Sequence, residues 1–284
     1  MEQALTIRTD YDIGQIMGGI YGDGFIALKG AFSRAWVQQL REDVDRLFEA
    51  ALKVEGGALP RGPQRYYVEI HPERIRGWVD LITHPWVTAV CEAVLGPDYK
   101  FIEAGFDVPL PGAMHQPWHR DFFSPPETVT GRHLNSLAFN ITTIDITDEM
   151  GPFEIAPGTQ WDTWDGDPMF PPKELHERYA SRAQKKKAQM GDISARSALT
   201  VHRGTANRSQ FARPVFVLGA DAPGATNAIK HDMQFTRAYW ESLPEQARKH
   251  LGGRVVESLD PIYQAHTIEG LLMGQPADDL YPGA

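Results

Sequence analysis

The part of the chain that most restricts its fold lies between residues 100 and 219, where short apolar or alternating runs are separated by glycine and proline. Runs of this length, bounded by turn-forming residues, are typical of antiparallel strands. Glycine and proline account for 26 and 21 of the 284 residues, which fits a turn-rich β fold better than a helical bundle. The sequence therefore predicts an antiparallel β-sandwich or barrel built from the runs 100–109, 115–122, 134–146, 153–156, 191–195, 198–203 and 214–219.

Helical patterns precede this β region. A buried strand is predicted at 25–28, followed by a helix that Ser33 caps and Gly56-Gly57 ends, because serine favours the N-cap and glycine the C-terminal end. A second helix begins after His84-Pro85, where the missing proline N–H costs nothing in the first turn. Cys91 lies on its apolar stripe and is predicted to be a small core residue.

Two further helical segments are predicted after residue 160. The insertion 161–190 has a helical composition and carries three consecutive lysines, 185–187, which a solvated helix would present to water. A last helix is predicted to begin at Ser242, which stands three residues before Glu245 as in a capping box, and to end near Gly252-Gly253.

Together these patterns predict one domain over residues 1–284, mainly β with flanking helices. No internal repeat and no separating linker is visible in the sequence. We divide the domain into an N-terminal helical flank of about 1–98, a β core of about 99–220 and a C-terminal helical tail of about 237–284. The tail is expected to serve as a lid or as a dimer surface, and the protein to be a monomer or a homodimer.

The charge and cysteine content exclude several classes of protein. The formal net charge is −9, and the lysine run is too short for a phosphate-binding surface, so nucleic acid is not an expected partner. The single cysteine, Cys91, rules out an intrachain disulfide and a cysteine-rich zinc module. No signal peptide and no apolar stretch of membrane-spanning length is readable. We therefore expect a cytoplasmic protein without a membrane partner.

Three residues have the chemistry and spacing of a metal site. His119 and Asp121 are two apart in a predicted strand, so their side chains point to one face. His202 ends another apolar run and is the best candidate for a third ligand. Two histidines and one carboxylate make the facial triad of non-haem Fe(II) oxygenases, which leaves positions free for substrate, cosubstrate and dioxygen. A zinc hydrolase that uses the same residues around a bound water is an alternative.

An arginine follows the last candidate ligand. Arg213 lies eleven residues after His202, at the start of an apolar run. Its planar guanidinium suits the carboxylate of a bidentate cosubstrate. Arg208, in the same loop, is the competing candidate and is otherwise expected to contact substrate.

At these positions the chain resembles the phytanoyl-CoA dioxygenase (PhyH-like) family of Fe(II)- and 2-oxoglutarate-dependent oxygenases. The resemblance covers most of the chain, and its landmarks occur in the family order. One departure is Thr159-Gln160, where the family usually has Ser-His. The landmarks are 23–30 (DGFIALKG), 95–98 (LGPD), 118–121 (WHRD), 149–153 (EMGPF), 156–159 (APGT), 191–193 (GDI) and the spacing from His202 to Arg213.

This resemblance implies a double-stranded β-helix, the jelly-roll or cupin-like fold, as the core. It implies that His119, Asp121 and His202 bind Fe(II), that Arg213 pairs with the distal carboxylate of 2-oxoglutarate, and that dioxygen is consumed with release of succinate and CO2. Related halogenases lack the carboxylate ligand, so Asp121 favours hydroxylation, desaturation or ring rearrangement at an aliphatic C–H. The expected substrate is a small organic molecule, a specialised metabolite. A non-catalytic jelly-roll binding protein is the other alternative.

Further residues are candidates for the walls of this site. Gln116 and Asn140 are predicted contacts of 2-oxoglutarate: the first precedes the ligands on the same segment, and the second is a polar group among core residues that needs a partner. Arg61 and Arg65 could bind an anionic group, with a solvated loop as the equal alternative. The candidate substrate-pocket residues are Phe106, Trp118, Phe122, Phe123, Tyr66 and Arg208. For the first four, packing in the β core is the alternative.

Overall fold

The computed structural model describes residues 11–121 and 126–261. The strands within these ranges are β1 (Phe25–Leu28), β2 (Leu59–Pro60), β3 (Arg65–Glu69), β4 (Lys100–Pro109), β5 (Ser136–Thr142), β6 (Phe153–Ile155), β7 (Gln184–Lys186), β8 (Ile193–Ser197), β9 (His202–Gly204), β10 (Val215–Asp221), β11 (Gln234–Thr236) and β12 (Arg254–Val256). The helices are α1 (Ile13–Gly18), α2 (Arg34–Ala51), α3 (Trp78–Ile82), α4 (Pro85–Leu95), α5 (Pro126–Thr130), α6 (His176–Arg182), α7 (Arg237–Ser242) and α8 (Glu245–Arg248). None of these helices is long and apolar enough to cross a membrane.

Two antiparallel sheets form the β core. The larger has seven strands in the order β1-β8-β5-β10-β4-β3-β2, and the smaller has three in the order β7-β6-β9. An isolated bridge between His119 and His202 extends the smaller sheet beside β9. Residues of both sheets line one cavity between them, so the predicted double-stranded β-helix is confirmed. The run 115–122 was expected to be a regular strand, but among its described residues it forms that bridge alone.

Helices from the N-terminal part cover one face of the larger sheet. The apolar stripes of α2 and α4 pack in one cluster with outward-facing sheet residues such as Phe139 and Phe216. Ser33 caps α2 by accepting the N–H of Trp36 at 3.2 Å, and Pro85 begins α4, as predicted. Cys91 is fully buried in this cluster, which confirms its predicted core position.

The opposite face of the larger sheet carries many polar side chains. Side chains alternate between the two faces along each strand, and the register brings Tyr67 opposite Asp107, and Ala138 opposite Arg196. Asn140 lies on the same face. This face looks toward the smaller sheet and forms the floor of the cavity. The fold therefore places the functional candidates between the two sheets, while the helices support the sheet from behind.

The N-terminal flank of about 1–98, which was predicted to be helical apart from a strand at 25–28, contains more strands than expected. It also supplies three strands of the larger sheet, with β1 at one edge and β2 and β3 at the other. The prediction missed β3 because Arg65, a charged residue, occupies one of its buried, cavity-facing positions. A strand with charged residues on its inward face does not show the apolar alternation expected of a core strand.

The insertion 161–190 is α-helical at α6, but its lysines do not lie on a helix. Lys185 and Lys186 lie on β7, which pairs with β6 at the edge of the smaller sheet. The predicted solvated lysine helix is therefore wrong. Lysine on an edge strand opposes pairing with another chain, and Lys186 Nζ also lies 4.5 Å from the centroid of the Phe25 ring.

The predicted last helix is divided in two. The first part, α7, ends at Ser242, Leu243 is extended with ψ 144°, and α8 begins at Glu245. Pro244 disfavours a helical conformation at the residue before it, so Ser242 ends one helix instead of capping the next. The helix also stops at Arg248, before Gly252-Gly253. The predicted tail is not wholly helical, because β12 pairs in parallel with β11. Its residues 262–284 lie outside the described ranges, so its role stays a prediction.

Asp43 is a buried carboxylate in the helical layer. Its Oδ2 accepts the backbone N–H of Arg76 at 2.7 Å, and its Oδ1 accepts from Arg46 Nη2 at 3.1 Å. Burial by itself raises the pKa of this carboxyl, but the hydrogen bonds from Arg76 and Arg46 outweigh burial and hold the pKa below its ordinary value. A carboxyl whose pKa is lowered on folding stabilises the fold at pH values above its unfolded pKa.

We predict that Asp43→Asn lowers the free energy of unfolding at pH 7 by about 1–3 kcal/mol, because Arg76 and Arg46 lose the charged, buried acceptor of their hydrogen bonds. The difference from wild type should be constant down to about pH 5 and should shrink below the unfolded pKa of 3.8. Urea unfolding followed by circular dichroism at each pH measures it. Asp45→Asn, which removes the exposed partner of Arg41, should cost at most about 0.5 kcal/mol. Equal losses in both variants would contradict the role given to Asp43.

Candidate metal centre and cosubstrate pocket

A backbone bridge positions the two candidate histidines. The N–H of His119 donates to the carbonyl of His202 at 3.0 Å, and the N–H of His202 donates to the carbonyl of His119 at 3.0 Å. Residues paired in this way project to the same side, and the ring centroids lie 4.3 Å apart. Asp121, two residues farther on, donates its N–H to the carbonyl of Ala198 at 3.1 Å. This bond holds its carboxylate on the same side.

The potential ligand atoms of these three side chains lie within 4.8 Å of one another. Asp121 Oδ1 is 3.3 Å from His202 Nε2 and 4.0 Å from His119 Nε2. Both histidines are 3% exposed. Across residues 11–121 and 126–261, this is the one group of three or more histidine, cysteine or acidic side chains with such a geometry. The structure thus brings together the three predicted ligands.

Each histidine is held in the tautomer that a metal ligand needs. Nδ1 of His119 lies 2.8 Å from the carbonyl of Pro117, and Nδ1 of His202 lies 2.9 Å from the carbonyl of Thr200. A carbonyl can only accept, so each Nδ1 carries the proton and each Nε2 turns a lone pair to the cluster. Burial and the neighbouring His202 lower the pKa of His119 to about 3. His119 is therefore neutral near pH 7, the form that binds a metal.

Arg196, on β8, fixes the carboxylate. Its Nη2 forms an ion pair with Asp121 Oδ2 and lies 3.3 Å from His202 Nε2. Burial by itself raises the pKa of Asp121, but the adjacent positive charge of Arg196 opposes burial, and the pKa lies far below its ordinary value. Asp121 therefore keeps its charge and turns Oδ1 to the histidines. Two imidazole nitrogens and one carboxylate oxygen are the donor set of non-haem Fe(II) sites, so the residues present fit that metal.

Arg213, just before β10, lines the same cavity. It is 2% exposed, and its Nε donates to the carbonyl of Met150 at 3.1 Å. Burial, and then the neighbouring Arg65, lower its pKa to about 10, so it stays charged near pH 7. Asp107 opposes this lowering, but its ion pair is with Arg65, and no carboxylate of the described residues forms an ion pair with Arg213. Because a buried guanidinium is costly without an opposite charge, this position suits an anionic ligand.

Both predicted polar contacts of the cosubstrate line the cavity. Asn140 projects from β5, and its buried Oδ1 has no hydrogen-bond partner in the described part of the chain. Gln116 Oε1 accepts the N–H of Gly204 at 2.9 Å, beside the bridge that holds the histidines. A buried polar atom without a partner marks a place where a ligand group can complete the hydrogen bonding. The cavity therefore fits a polar cosubstrate next to the three candidate ligands.

In the wall formed by β3, β4 and the turn before β3, sequence reasoning named Arg61 and Arg65 but missed Tyr67, Glu103 and Asp107. Arg65, which was named as a possible anion-binding residue, pairs with Asp107 at 2.7 Å. The hydroxyl of Tyr67 donates to the carboxylate of Glu103, and the guanidinium of Arg61 lies 4.7 Å from the centroid of the Tyr67 ring. The signal was present in the predicted strand 100–109, because charged residues at 103 and 107 are four apart and share one face.

Two glycines make room for this wall. A Cβ at Gly105 would lie 2.5 Å from the hydroxyl oxygen of Tyr67, and one at Gly219 would lie 2.7 Å from Glu103 Oε2. Glycine within a strand commonly marks such a close approach. A larger residue at either position would displace the Tyr67–Glu103 pair from the floor of the cavity.

Two aromatic substrate-pocket candidates do not line the cavity. Phe106 is fully buried in the core on the helix-covered face of the larger sheet. Trp118 is 2% exposed in a separate small cluster with Tyr179, and Arg203 lies 4.4 Å from the centroid of its ring. Both are therefore packing residues, the alternative that the sequence analysis left open, and the residue after Phe106, Asp107, is the one that lines the cavity.

Two more substrate-pocket candidates, Tyr66 and Arg208, also lie away from the cavity. Tyr66 packs on Phe48 with ring centroids 5.6 Å apart, while its neighbours on β3 face the cavity. Arg208 is exposed and does not line the cavity. Phe122 and Phe123 lie outside the described residues. Among the described residues, the apolar side chains that line the cavity are Ala138, Phe153, Val215 and Val217.

Several solved structures share this fold. The epimerase SnoN, solved with Fe3+, alpha ketoglutarate and nogalamycin RO, matches with a TM-score of 0.60 at 16% identity over 91% of this chain and 96% of that chain. AviO1 from Streptomyces viridochromogenes Tue57 matches with a TM-score of 0.57 at 19% identity over 76% of this chain and 98% of that chain. HygX from Streptomyces hygroscopicus, solved with nickel, 2-oxoglutarate and hygromycin B, matches with a TM-score of 0.57 at 12% identity. The match covers 78% of this chain and 90% of that chain. At these identities the likeness shows the fold.

The sequence itself gives the family. No curated protein matches the chain. The sequence model of the family described as phytanoyl-CoA dioxygenase (PhyH) matches residues 20–215, which is more than half of the chain and includes His119, Asp121, His202 and Arg213. The chain belongs to the phytanoyl-CoA dioxygenase family of Fe(II)- and 2-oxoglutarate-dependent oxygenases.

Proposed function

We propose that this protein oxidises an aliphatic C–H bond of a small organic molecule, with Fe(II) held by His119, Asp121 and His202 and 2-oxoglutarate held by Arg213. One observation carries the proposal. Two Nε2 lone pairs and a charged carboxylate converge in the same cavity as a buried arginine that no carboxylate of the described residues pairs with. A purely structural ion-pair cluster would not leave that arginine unpaired.

The residues divide the work of holding metal and cosubstrate. When bound, Fe(II) together with 2-oxoglutarate and dioxygen supplies an oxidant able to take hydrogen from an unactivated C–H bond, with succinate and CO2 as coproducts. The Nδ1–H bonds to backbone carbonyls orient both imidazoles. Arg196 holds Asp121 Oδ2, so that Oδ1 is the oxygen offered to the metal. Arg213 binds the distal carboxylate of the cosubstrate, and Asn140 and Gln116 orient its polar groups.

Apolar side chains make part of the cavity wall hydrophobic. Phe153, from the smaller sheet, has its ring centroid 5.1 Å from that of His202. Val215 and Val217, on β10, line the cavity with it. These groups exclude water from the reacting centre, which limits side reactions of the oxidant. They also offer an apolar surface against which the carbon skeleton of a substrate packs.

We propose a specialised metabolite as the substrate and hydroxylation as the first outcome to test. The complexes of SnoN with nogalamycin RO and of HygX with hygromycin B support a small-molecule substrate. SnoK is described as a carbocyclase and SnoN as an epimerase, so this fold hosts several outcomes, and desaturation and ring rearrangement belong in the assay. Asp121 favours hydroxylation, desaturation and ring rearrangement over halogenation, because related halogenases lack this carboxylate ligand. The net charge of −9 favours a small molecule over nucleic acid as the partner. We further propose that the protein is cytoplasmic and acts as a monomer or a homodimer.

The first prediction from this proposal concerns the metal and the cosubstrate. Anaerobic addition of Fe(II) and 2-oxoglutarate to the purified protein should produce a metal-to-ligand charge-transfer band, and admission of air should release succinate. His119→Ala should lose both signals, because one of three metal ligands is missing. Visible absorption and chromatography of succinate measure the two signals.

The matched control for that experiment is His250→Ala. It removes a buried histidine that stacks on Tyr99 with ring centroids 3.9 Å apart and does not line the cavity, so both signals should persist. Absence of both signals from the wild-type protein would refute the proposal. Oxygen-independent hydrolysis with Zn(II) would instead support the hydrolase alternative.

The second prediction concerns the cosubstrate arginine. Arg213→Gln should raise the Kd for 2-oxoglutarate about tenfold or more, because a charge-assisted pair is lost. Titration of the charge-transfer band with 2-oxoglutarate measures the Kd. Arg208→Gln is the matched control and should leave the Kd unchanged, since Arg208 is exposed. A raised Kd in Arg208→Gln together with an unchanged Kd in Arg213→Gln would assign the cosubstrate carboxylate to Arg208.

A further inference from the structure

Arg61, on the turn between β2 and β3, lines the cavity without a carboxylate partner among the described residues. Its Nε is buried and has no hydrogen-bond partner within residues 11–121 and 126–261. The guanidinium stacks over the Tyr67 ring at 4.7 Å from the centroid. Its backbone N–H donates to the carbonyl of Arg65 at 2.8 Å. The ring and the backbone bond hold the side chain against the cavity wall.

The carboxylates near Arg61 are engaged by other groups. Asp107 pairs with Arg65 at 2.7 Å, Glu103 accepts from the hydroxyl of Tyr67, and Asp121 pairs with Arg196. Burial lowers the pKa of Arg61, while Tyr67 and these three acids raise it. The acids are therefore within electrostatic reach of Arg61, yet each has its contact elsewhere.

The cavity has an excess of positive charge. Burial and Glu103 raise the pKa of Tyr67 well above its ordinary value, so its phenol is neutral. A divalent metal and the 2-oxoglutarate dianion together add no net charge, and metal-bound histidines are neutral. One positive charge therefore remains in the loaded cavity. The charged side chains that line it, among the described residues, are Arg61, Arg65, Arg196 and Arg213 against Glu103, Asp107 and Asp121.

We propose that Arg61 is the anion receptor of the substrate subsite, and that the substrate is an organic acid carrying one carboxylate. This inference rests on the proposed function, in which Arg213 takes the cosubstrate. A guanidinium with an unengaged Nε can pair with both oxygens of a carboxylate. The apolar side chains Phe153, Val215 and Val217 line the same cavity and suit the carbon skeleton of such an acid. The bound acid supplies the one negative charge that the loaded cavity lacks.

Binding of matched acids and amides tests this inference. The wild-type protein, loaded anaerobically with Fe(II) and saturating 2-oxoglutarate so that Arg213 is occupied, is titrated by calorimetry with three pairs of probes. These are acetate and acetamide, octanoate and octanamide, and phenylacetate and phenylacetamide. At least one acid should bind about tenfold or more tightly than its amide, as expected for a charge-assisted pair.

Variants of Arg61 assign that preference. Arg61→Met, which keeps a long side chain over the Tyr67 ring, should remove the preference for the acid and leave the affinity for the amide unchanged. Arg61→Lys should keep part of the preference for the acid, because the positive charge remains but the planar guanidinium does not. Arg208→Gln removes one positive charge from an exposed position and should keep the full preference.

Several results would overturn the inference. The inference is wrong if the wild-type protein binds none of the acids more tightly than its amide. It is also wrong if Arg61→Met keeps the full preference for the acid. A large loss of 2-oxoglutarate affinity in Arg61→Met, read from the charge-transfer band, would assign Arg61 to the cosubstrate instead. Failure of the proposed function is distinguishable from these results, because the wild-type protein would then show no charge-transfer band.

Discussion

Two backbone hydrogen bonds between His119 and His202 tie an irregular segment to the edge of the smaller sheet, and the position of every candidate metal ligand depends on them. They fix the register of the two segments, and a slip of one residue would turn a histidine to the opposite side. Asp121 lies two residues beyond His119 and takes its place from the same register. The hydrogen bonds of both Nδ1 atoms to backbone carbonyls then set the rotation of the rings.

The electrostatics of the cavity follow from the polar face of the larger sheet. Buried charges are stable only when paired or when a ligand completes them. Arg65 and Arg196 have carboxylate partners in Asp107 and Asp121. Arg213 and Arg61 line the same cavity without such a partner among the described residues. We assign the first of these unpaired arginines to the cosubstrate and the second to an acidic substrate, so that each ligand completes a charge that the fold leaves unpaired.

The features that the sequence predicted well are local or carried by ordered landmarks. The caps of α2 and α4 depend on single residues next to each helix, and the pair His119 and Asp121 depends on a spacing of two. The walls of the cavity could not be predicted in this way, because they depend on which strands pair and on the face each residue takes. Tyr66 was chosen where Tyr67 lines the cavity, and Arg196 was not noticed because its partner, Asp121, is distant in sequence.

Anomalous diffraction from crystals grown anaerobically with Fe(II) and 2-oxoglutarate tests the assignment of this site most directly. We expect one iron peak, bonded to Nε2 of His119, Oδ1 of Asp121 and Nε2 of His202. The distal carboxylate of 2-oxoglutarate should lie on the guanidinium of Arg213. Iron bound at other residues, or a cosubstrate carboxylate on Arg61 or Arg208 while Arg213 stays unpaired, would contradict the assignment.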